Sequence, residues 1–297
     1  MALSDLQYSY RGLVFGEGCD VMVNNAEGFE GYEVRSADSD QPRGDGGLRG
    51  LDYVAPRSLS FELSIFEPDG NTYGSLYEEL WARVRSTFRP SRDTDYPLNF
   101  KRPGQPERMI MCRPVQLIRS ESYRAFNRVG SPPVALRAVD PRIYSATRKS
   151  GNVPIYAATG GTVDFALDYT VDWDAGTRTE LVVENAGDAN AYPLVRFYGP
   201  GSGTCTGVRL TNSTTGQVLD ISATVTAGQI LTADMEAAVT GANRLVISLD
   251  GSSRYGDWEL PRQAFYLAPG SNTLRFEVTG TSTDVVCNLQ WRDTWLG

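Results

Sequence analysis

The chain has 297 residues, 41% of them hydrophobic and 22% charged, which is enough apolar material for a substantial core in one large domain or two ordinary ones. It contains no histidine, which excludes Ser-His-Asp and Cys-His catalysis, histidine-ligated metal sites and histidine-based pH switching. The net charge of −8 falls entirely after residue 150, and an acidic chain lacks the basic face that displaces counterions from nucleic acid.

In chain order, residues 1–5 lack the basic and apolar stretches of a secretory signal. No apolar run approaches the roughly 18 residues of a spanning helix. The expectation is a soluble product of the cytoplasm with no membrane insertion. The first long polar stretch is SADSDQPRGDGGLRGLDYVAP, residues 36–56. Loops of this length in a compact domain have a function or lack order. It reads as a projecting hairpin or arm, with Arg43, Asp45 and Arg49 as candidate interface residues. Its Arg-Gly-Asp tripeptide arises readily by chance in Gly/Asp-rich loops and is not read as an integrin ligand.

Leu59, Phe61, Leu63 and Ile65 alternate with Ser58, Ser60, Glu62 and Ser64, the pattern of a half-buried strand. Tyr73, Leu76, Tyr77, Leu80, Trp81, Val84 and Phe88 then recur at helical spacing, with Ser75 and Glu78 suiting a capping box and Pro90 a stop. This helix lays an aromatic-rich face on a sheet. Core packing explains that face, and a ligand-binding stripe is the alternative. Residues 119–133, RSESYRAFNRVGSPP, interleave Arg119, Arg124 and Arg128 with Tyr123 and Phe126. Such interleaving can stack bases. In a half with 20 basic and 20 acidic residues, a protein interface or a solvated hairpin tip fits better.

Small residues, Pro and Gly mark a boundary in SATRKSGNVPIYAATGG, residues 145–161, where the charge balance also steps to 8 basic against 16 acidic. The expected domains are 1–148 and 149–297. In DYTVDWDAG, Asp168, Asp172 and Asp174 flank Trp173. Paired carboxylates can hydrolyse glycosides and clustered ones can hold calcium, but the spacing matches no calcium loop, and a solvated hairpin rim is the simpler reading. Further alternating runs follow at 194–198, 245–249, 274–278 and 285–291. Pro193 suits a strand start because it cannot donate to a ladder. Pro269 and Gly270 suit the central positions of a type II turn. Short strands with regular turn signals read as β-sandwich or barrel.

Cys19, Cys112, Cys205 and Cys287 are far apart with no CxxC spacing, so reduced thiols are expected and structural zinc is not. Only Lys101 and Lys149 of the 28 basic residues are lysine. Coding bias explains this, as does the preference for arginine at protein interfaces. No Walker loop, GxGxxG or GxSxG is present. No catalytic, cofactor or metal residue is assigned.

Several stretches in order carry a resemblance: VDPRIYS (139–145), ENAGDANAYPLVRFYGPG (184–201), VRLTNSTTGQVLDI (208–221), GSSRYGDWELP (251–261), FYLAPGSNTLRF (265–276) and VCNLQWRDTWLG (286–297). The series resembles the distal tail (Dit) proteins of long flexible-tailed bacteriophages, particularly those of actinobacterial hosts. The resemblance implies a mainly β chain of two domains. The first is sandwich- or barrel-like with one packed helix, and the second is a galectin-like or jelly-roll sandwich. It implies a structural, non-enzymatic virion protein of the tail tip, assembled in the host cytoplasm as a ring, usually hexameric, around the DNA channel. The implied partners are further copies of itself, the major tail tube protein, the tip or hub protein, the tape measure protein and receptor-binding proteins. DNA is only passing cargo. Either 36–56 or 119–131 could be the arm that clasps a neighbour. The alternative function is a carbohydrate-binding host-adhesion module of the tail.

Overall fold

The computed structural model describes residues 2–41, 45–65, 75–118, 132–156, 180–236, 245–281 and 284–297. It divides into two compact units, Met1–Thr147 with Trp295–Gly297, and Arg148–Thr294. The chain is mainly β, with a single α-helix among the described residues.

The first unit is built on one curled antiparallel sheet. Its strand order is Leu13–Gly16, Gln7–Tyr10, Tyr96–Phe100, Arg108–Leu117, Pro133–Ala138, Arg57–Ile65 and Val21–Glu27. Strand Arg108–Leu117 is the pivot. Residues 108–112 pair with Tyr96–Phe100, and Arg113–Leu117 pair with Pro133–Ala138. The register shifts between Pro114 and Gln116. A bulge at a proline, which has no ladder donor, bends a strand and strengthens its twist, and here it curls the sheet around its own core.

The alternation in Arg57–Ile65 is realised as expected: Leu59, Phe61, Leu63 and Ile65 are all buried. Helix Ser75–Thr87 buries Tyr77, Leu80, Trp81 and Val84 against that core, and Phe88 follows them in. Of the expected stripe, Tyr73 and the side chains of Ser75 and Leu76 lie outside the described residues. Glu78 in the first turn and Arg85 in the last complement the helix dipole. The core is aromatic. Phe61 meets Phe15, Phe29 and Tyr8 edge-on with ring centroids 5.1–5.5 Å apart, and Tyr10 stacks on Phe88 at 5.5 Å. These offset and edge geometries add to the gain from burial alone.

The second unit is a sandwich. One sheet orders Lys149–Val153, Val286–Trp291, Leu194–Tyr198, Ile230–Asp234, Val246–Leu249 and Ser252–Ser253. The other orders Leu181–Asn185, Gly270–Gly280, Thr204–Asn212 and Gln217–Ile221, with Val225–Thr226 beside Thr204–Asn212. Phe197 from the first and Phe276 from the second stack at 5.5 Å between the sheets, and Trp258 is fully buried in the same core. Leu194–Tyr198 starts directly after Pro193 and pairs on both sides. Gly270 has φ +84°, the value a type II turn requires there. Asn272 closes that turn. Its Oδ1 accepts from the Ala268 amide, and its Nδ2 donates to the Ala268 and Gly270 carbonyls.

All four cysteines are free. Trp295, grouped by sequence with the second half, packs against the core of the first unit.

Candidate assembly interface

A segment leaves the curled sheet of the first unit at Gly28 and returns at Arg57. Gly28 has φ +86°, and a Cβ there would lie 2.0 Å from the Ser58 carbonyl oxygen, so the chain can depart this close to the neighbouring strand only through glycine. Beyond it the chain forms two narrow ribbons. Val34–Arg35 pairs with Tyr53–Val54, and Ser39–Asp40 pairs with Gly47–Leu48. The 36–56 stretch expected as an arm is therefore a hairpin, with its root at 28–34.

Among the described residues this hairpin has little to hold it beyond its ladder. Leu51 is 71% exposed, Tyr32 61%, and Val34, Leu48 and Tyr53 are exposed with them. The Gly50 amide donates to Asp38 Oδ1 at 2.7 Å, and this bond, followed by one from Ser36, holds the Asp38 carboxyl below its usual range. Arg49 pairs with Asp52 at 3.7 Å, both well exposed, an arrangement worth little. A two-stranded ribbon alone is marginally stable, so this one offers apolar surface with no intramolecular cover among the described residues.

The root, by contrast, is clamped. Arg57 is buried, and among the described residues no carboxylate pairs with it. Its Nε donates to the Pro141 carbonyl at 3.0 Å, its Nη1 to Gly28 O at 2.8 Å, and its Nη2 to Leu296 O. One guanidinium thus ties three remote segments together. Burial, and then the charge of Arg102, pushes its pKa down. Arg102 itself pairs with Glu30 beside the root. The Arg108 guanidinium lies 4.1 Å above the Trp295 ring, and Gly297 packs against Gly31. A recess of about 360 Å³ opens at the root, lined by Glu30, Tyr32, Glu33, Pro56 and Arg57.

Of the sequence-predicted residues, Asp45 and Arg49 sit exposed on the arm. Arg43 lies outside the described residues, as do Arg119, Tyr123, Arg124, Phe126 and Arg128. Leu117 pairs with Val134, so the strands on either side of 119–131 are hydrogen-bonded neighbours. Asp168, Asp172 and Asp174 also fall outside the described residues. Among the described residues no group of three or more Cys, Asp or Glu could hold a metal ion, and no helix is long and apolar enough to cross a membrane. Sequence reasoning missed Arg57 and the apolar residues of the arm. The signal for Arg57 was its parity: it stands two before Leu59 on the inward side of the strand.

No protein-family model and no curated protein matches the sequence. Solved structures do. Dit (gp 19.1) of phage SPP1, a paradigm of the hub adsorption apparatus in phages infecting Gram-positive bacteria, superposes with a TM-score of 0.63 at 16% identity, over 97% of this chain and 98% of that one. The chain has a Dit-like fold. A chain of the phage P2 baseplate, in its activated conformation with calcium, aligns over 96% and 97% with a TM-score of 0.49 at 10% identity. The Dit likeness spans both units, so it concerns the whole chain and not one β-sandwich within it.

Proposed function

We propose that this chain is a structural, non-enzymatic subunit of a phage tail tip. Six copies close into a ring that connects the tail tube to the tip complex and surrounds the DNA channel. The observation that carries this reading is the arm at 30–56, set on a Dit-like fold. A ring needs a head-to-tail contact between two different faces of one subunit. An exposed ribbon with a clamped root supplies one of those faces, and the occupant of its apolar side is the next copy of this chain. The charge distribution supports the same assignment. The first unit, with 18 basic and 20 acidic residues, packs against itself with little net repulsion, whereas copies of the second unit, with 10 basic and 16 acidic residues, repel within a Debye length of about 8 Å. Ring contacts therefore fall to the first unit. The tube, tip and tape measure proteins are the further partners, and the virion tail is the site of action.

The test is the assembly state of the full chain against a variant in which residues 34–54 are replaced by a short Gly-containing turn. The full chain should form a closed oligomer, and the variant should dissociate at least tenfold more readily with its two units still folded. An armless chain that assembles as well as the parent would overturn the role given to the arm.

A further inference from the structure

Strand Tyr96–Phe100 of the first unit separates two exposed surfaces of opposite charge. At its Phe100 end lies the root of the arm. The rings of Phe29 and Phe100 meet there with centroids 4.9 Å apart, and Arg102 pairs with Glu30. At its Tyr96 end lies the end of the helix. The Arg11 guanidinium sits 4.5 Å over the Tyr96 ring and donates to the carbonyls of Thr87 and Arg89 at 3.2 and 3.1 Å. That ties the turn after Gln7–Tyr10 to the C-terminal end of the helix. The two ends are about 13 Å apart along the strand.

The surface beyond Tyr96 is basic. Arg85, Arg89 and Arg92 are exposed, and Asp93 is the one acid among residues 85–94. Glu78 and Glu79 lie earlier in the helix. Among the described residues none of the three arginines forms an ion pair, and nearby Asp95 is taken up by Arg113 at 3.7 Å. The arm has the opposite balance, with six acids and three arginines in residues 30–54. Its Glu33, Asp40 and Asp45 are exposed, and so are Tyr32 and Tyr53. In the single chain, therefore, neither surface covers the other.

We propose that the basic end of the first unit, formed by Arg11, Arg85, Arg89 and Arg92, is the surface on which the arm of the next copy docks. This pairing rests on the ring reading and names the face that the arm meets. A closed ring needs two different faces of one subunit that match each other. The acidic arm and the arginine end are complementary in charge and sit at opposite ends of the same strand, as a head-to-tail contact requires. Arginine also suits the mixed chemistry of the arm. Its fork pairs with carboxylates, and its flat face lies over a tyrosine ring. Opposite charges steer the encounter and fix its register. Nucleic acid would compete for the same arginines, but it would meet a first unit with 18 basic and 20 acidic residues and a second with 10 and 16, a balance that does not hold a polyanion.

The test is a charge exchange in the full chain, read by mass photometry, with thermal unfolding as the control for folding and fluorescence anisotropy on duplex DNA for the competing ligand. One variant carries Arg85→Glu with Arg89→Glu, the other Glu33→Arg with Asp40→Arg. All four positions are exposed, so both variants should keep the thermal transition of the parent. If the helix variant loses its transition, Arg92→Glu, outside the helix, takes its place. Each variant alone should dissociate at least tenfold more readily than the parent. An equimolar mixture of the two should restore assembly. The reversed arm of one then meets the reversed acceptor of the other, the native pair forms at the next contact, and the alternation closes in a ring of six. If the parent assembles and either folded variant assembles equally well, or the mixture does no better than its parts, the docking face is overturned and the ring reading stands. Loss of duplex DNA binding with assembly intact would assign the arginines to nucleic acid and overturn the docking face as well. A parent that is monomeric at every concentration would overturn the ring reading, and this face with it.

Discussion

Arg57 is the residue whose loss the first unit should feel most for its size. Arg57→Met keeps much of the aliphatic stem and removes every donor. It leaves the carbonyls of Gly28, Pro141 and Leu296 without the partner that joined them. A hydrogen bond to a charged group contributes about 1.5–3 kcal/mol. Three bonds on one side chain are not additive, and removing a desolvated cation returns part of the loss. The net destabilisation should be about 3 kcal/mol. In a chain of this size class one kcal/mol moves Tm by about 2–4 °C, so the transition of the first unit should fall by about 6–12 °C. Arg57→Lys should recover less than half of this, because one ammonium cannot reach three carbonyls set around a planar fork. Deleting Trp295–Gly297 should produce a loss of similar size, since it removes one acceptor and the Trp295 ring from the core. Thermal unfolding of the full chain, followed by tryptophan fluorescence and circular dichroism, reads all three. A Met variant within about 2 °C of the parent would refute the clamp.

Three other outcomes follow from the same structure. Changing Tyr32, Leu51 and Tyr53 together to serine should weaken self-association at least tenfold in mass photometry and leave Tm within about 2 °C, because all three are exposed in the single chain. Asn272→Ala removes a buried side chain whose amide donates to Ala268 O and Gly270 O while its oxygen accepts from Ala268 N and Asn212 Nδ2. It should destabilise the second unit by about 3 kcal/mol in denaturant titration, and an effect below about 1 kcal/mol would contradict that role. Cys112, Cys205 and Cys287 are buried and Cys19 only partly so. Native protein should therefore release one equivalent in a thiol assay and unfolded protein four, without reductant. The Cys19 thiol is pushed up by desolvation and then by Asp20. Its labelling needs the thiolate and should accelerate as pH rises through and beyond the ordinary thiol range.

Period carried the sequence reading where burial is one-sided and local. Arg57–Ile65 and the helix at 75–87 show this, because each repeats its inward residues along a continuous stretch. Arg57 shares the inward parity of Leu59 but was missed, because a charged residue breaks the apolar alternation, and only the fold reveals the three carbonyls that make an inward arginine tolerable. The arm was legible from its length and polarity. Its apolar surface was not, because Tyr32, Leu48, Leu51 and Tyr53 follow no period and stay exposed among the described residues. The packing of Trp295 in the first unit was hidden for a different reason. Its neighbours in sequence belong to the alternating run 285–291, and no local pattern records that the chain leaves the sandwich immediately afterwards.

The proposed assembly has copies of this chain closing on themselves through the first unit. Mass photometry of the full chain at micromolar concentration and physiological salt, with electron microscopy of the same sample, tests it most directly. The expected result is a discrete species at six times the 32.6 kDa chain mass, seen as closed rings with a central channel and lost when residues 34–54 are replaced. A monomer at every concentration, an open filament, or a ring that survives loss of the arm would contradict it.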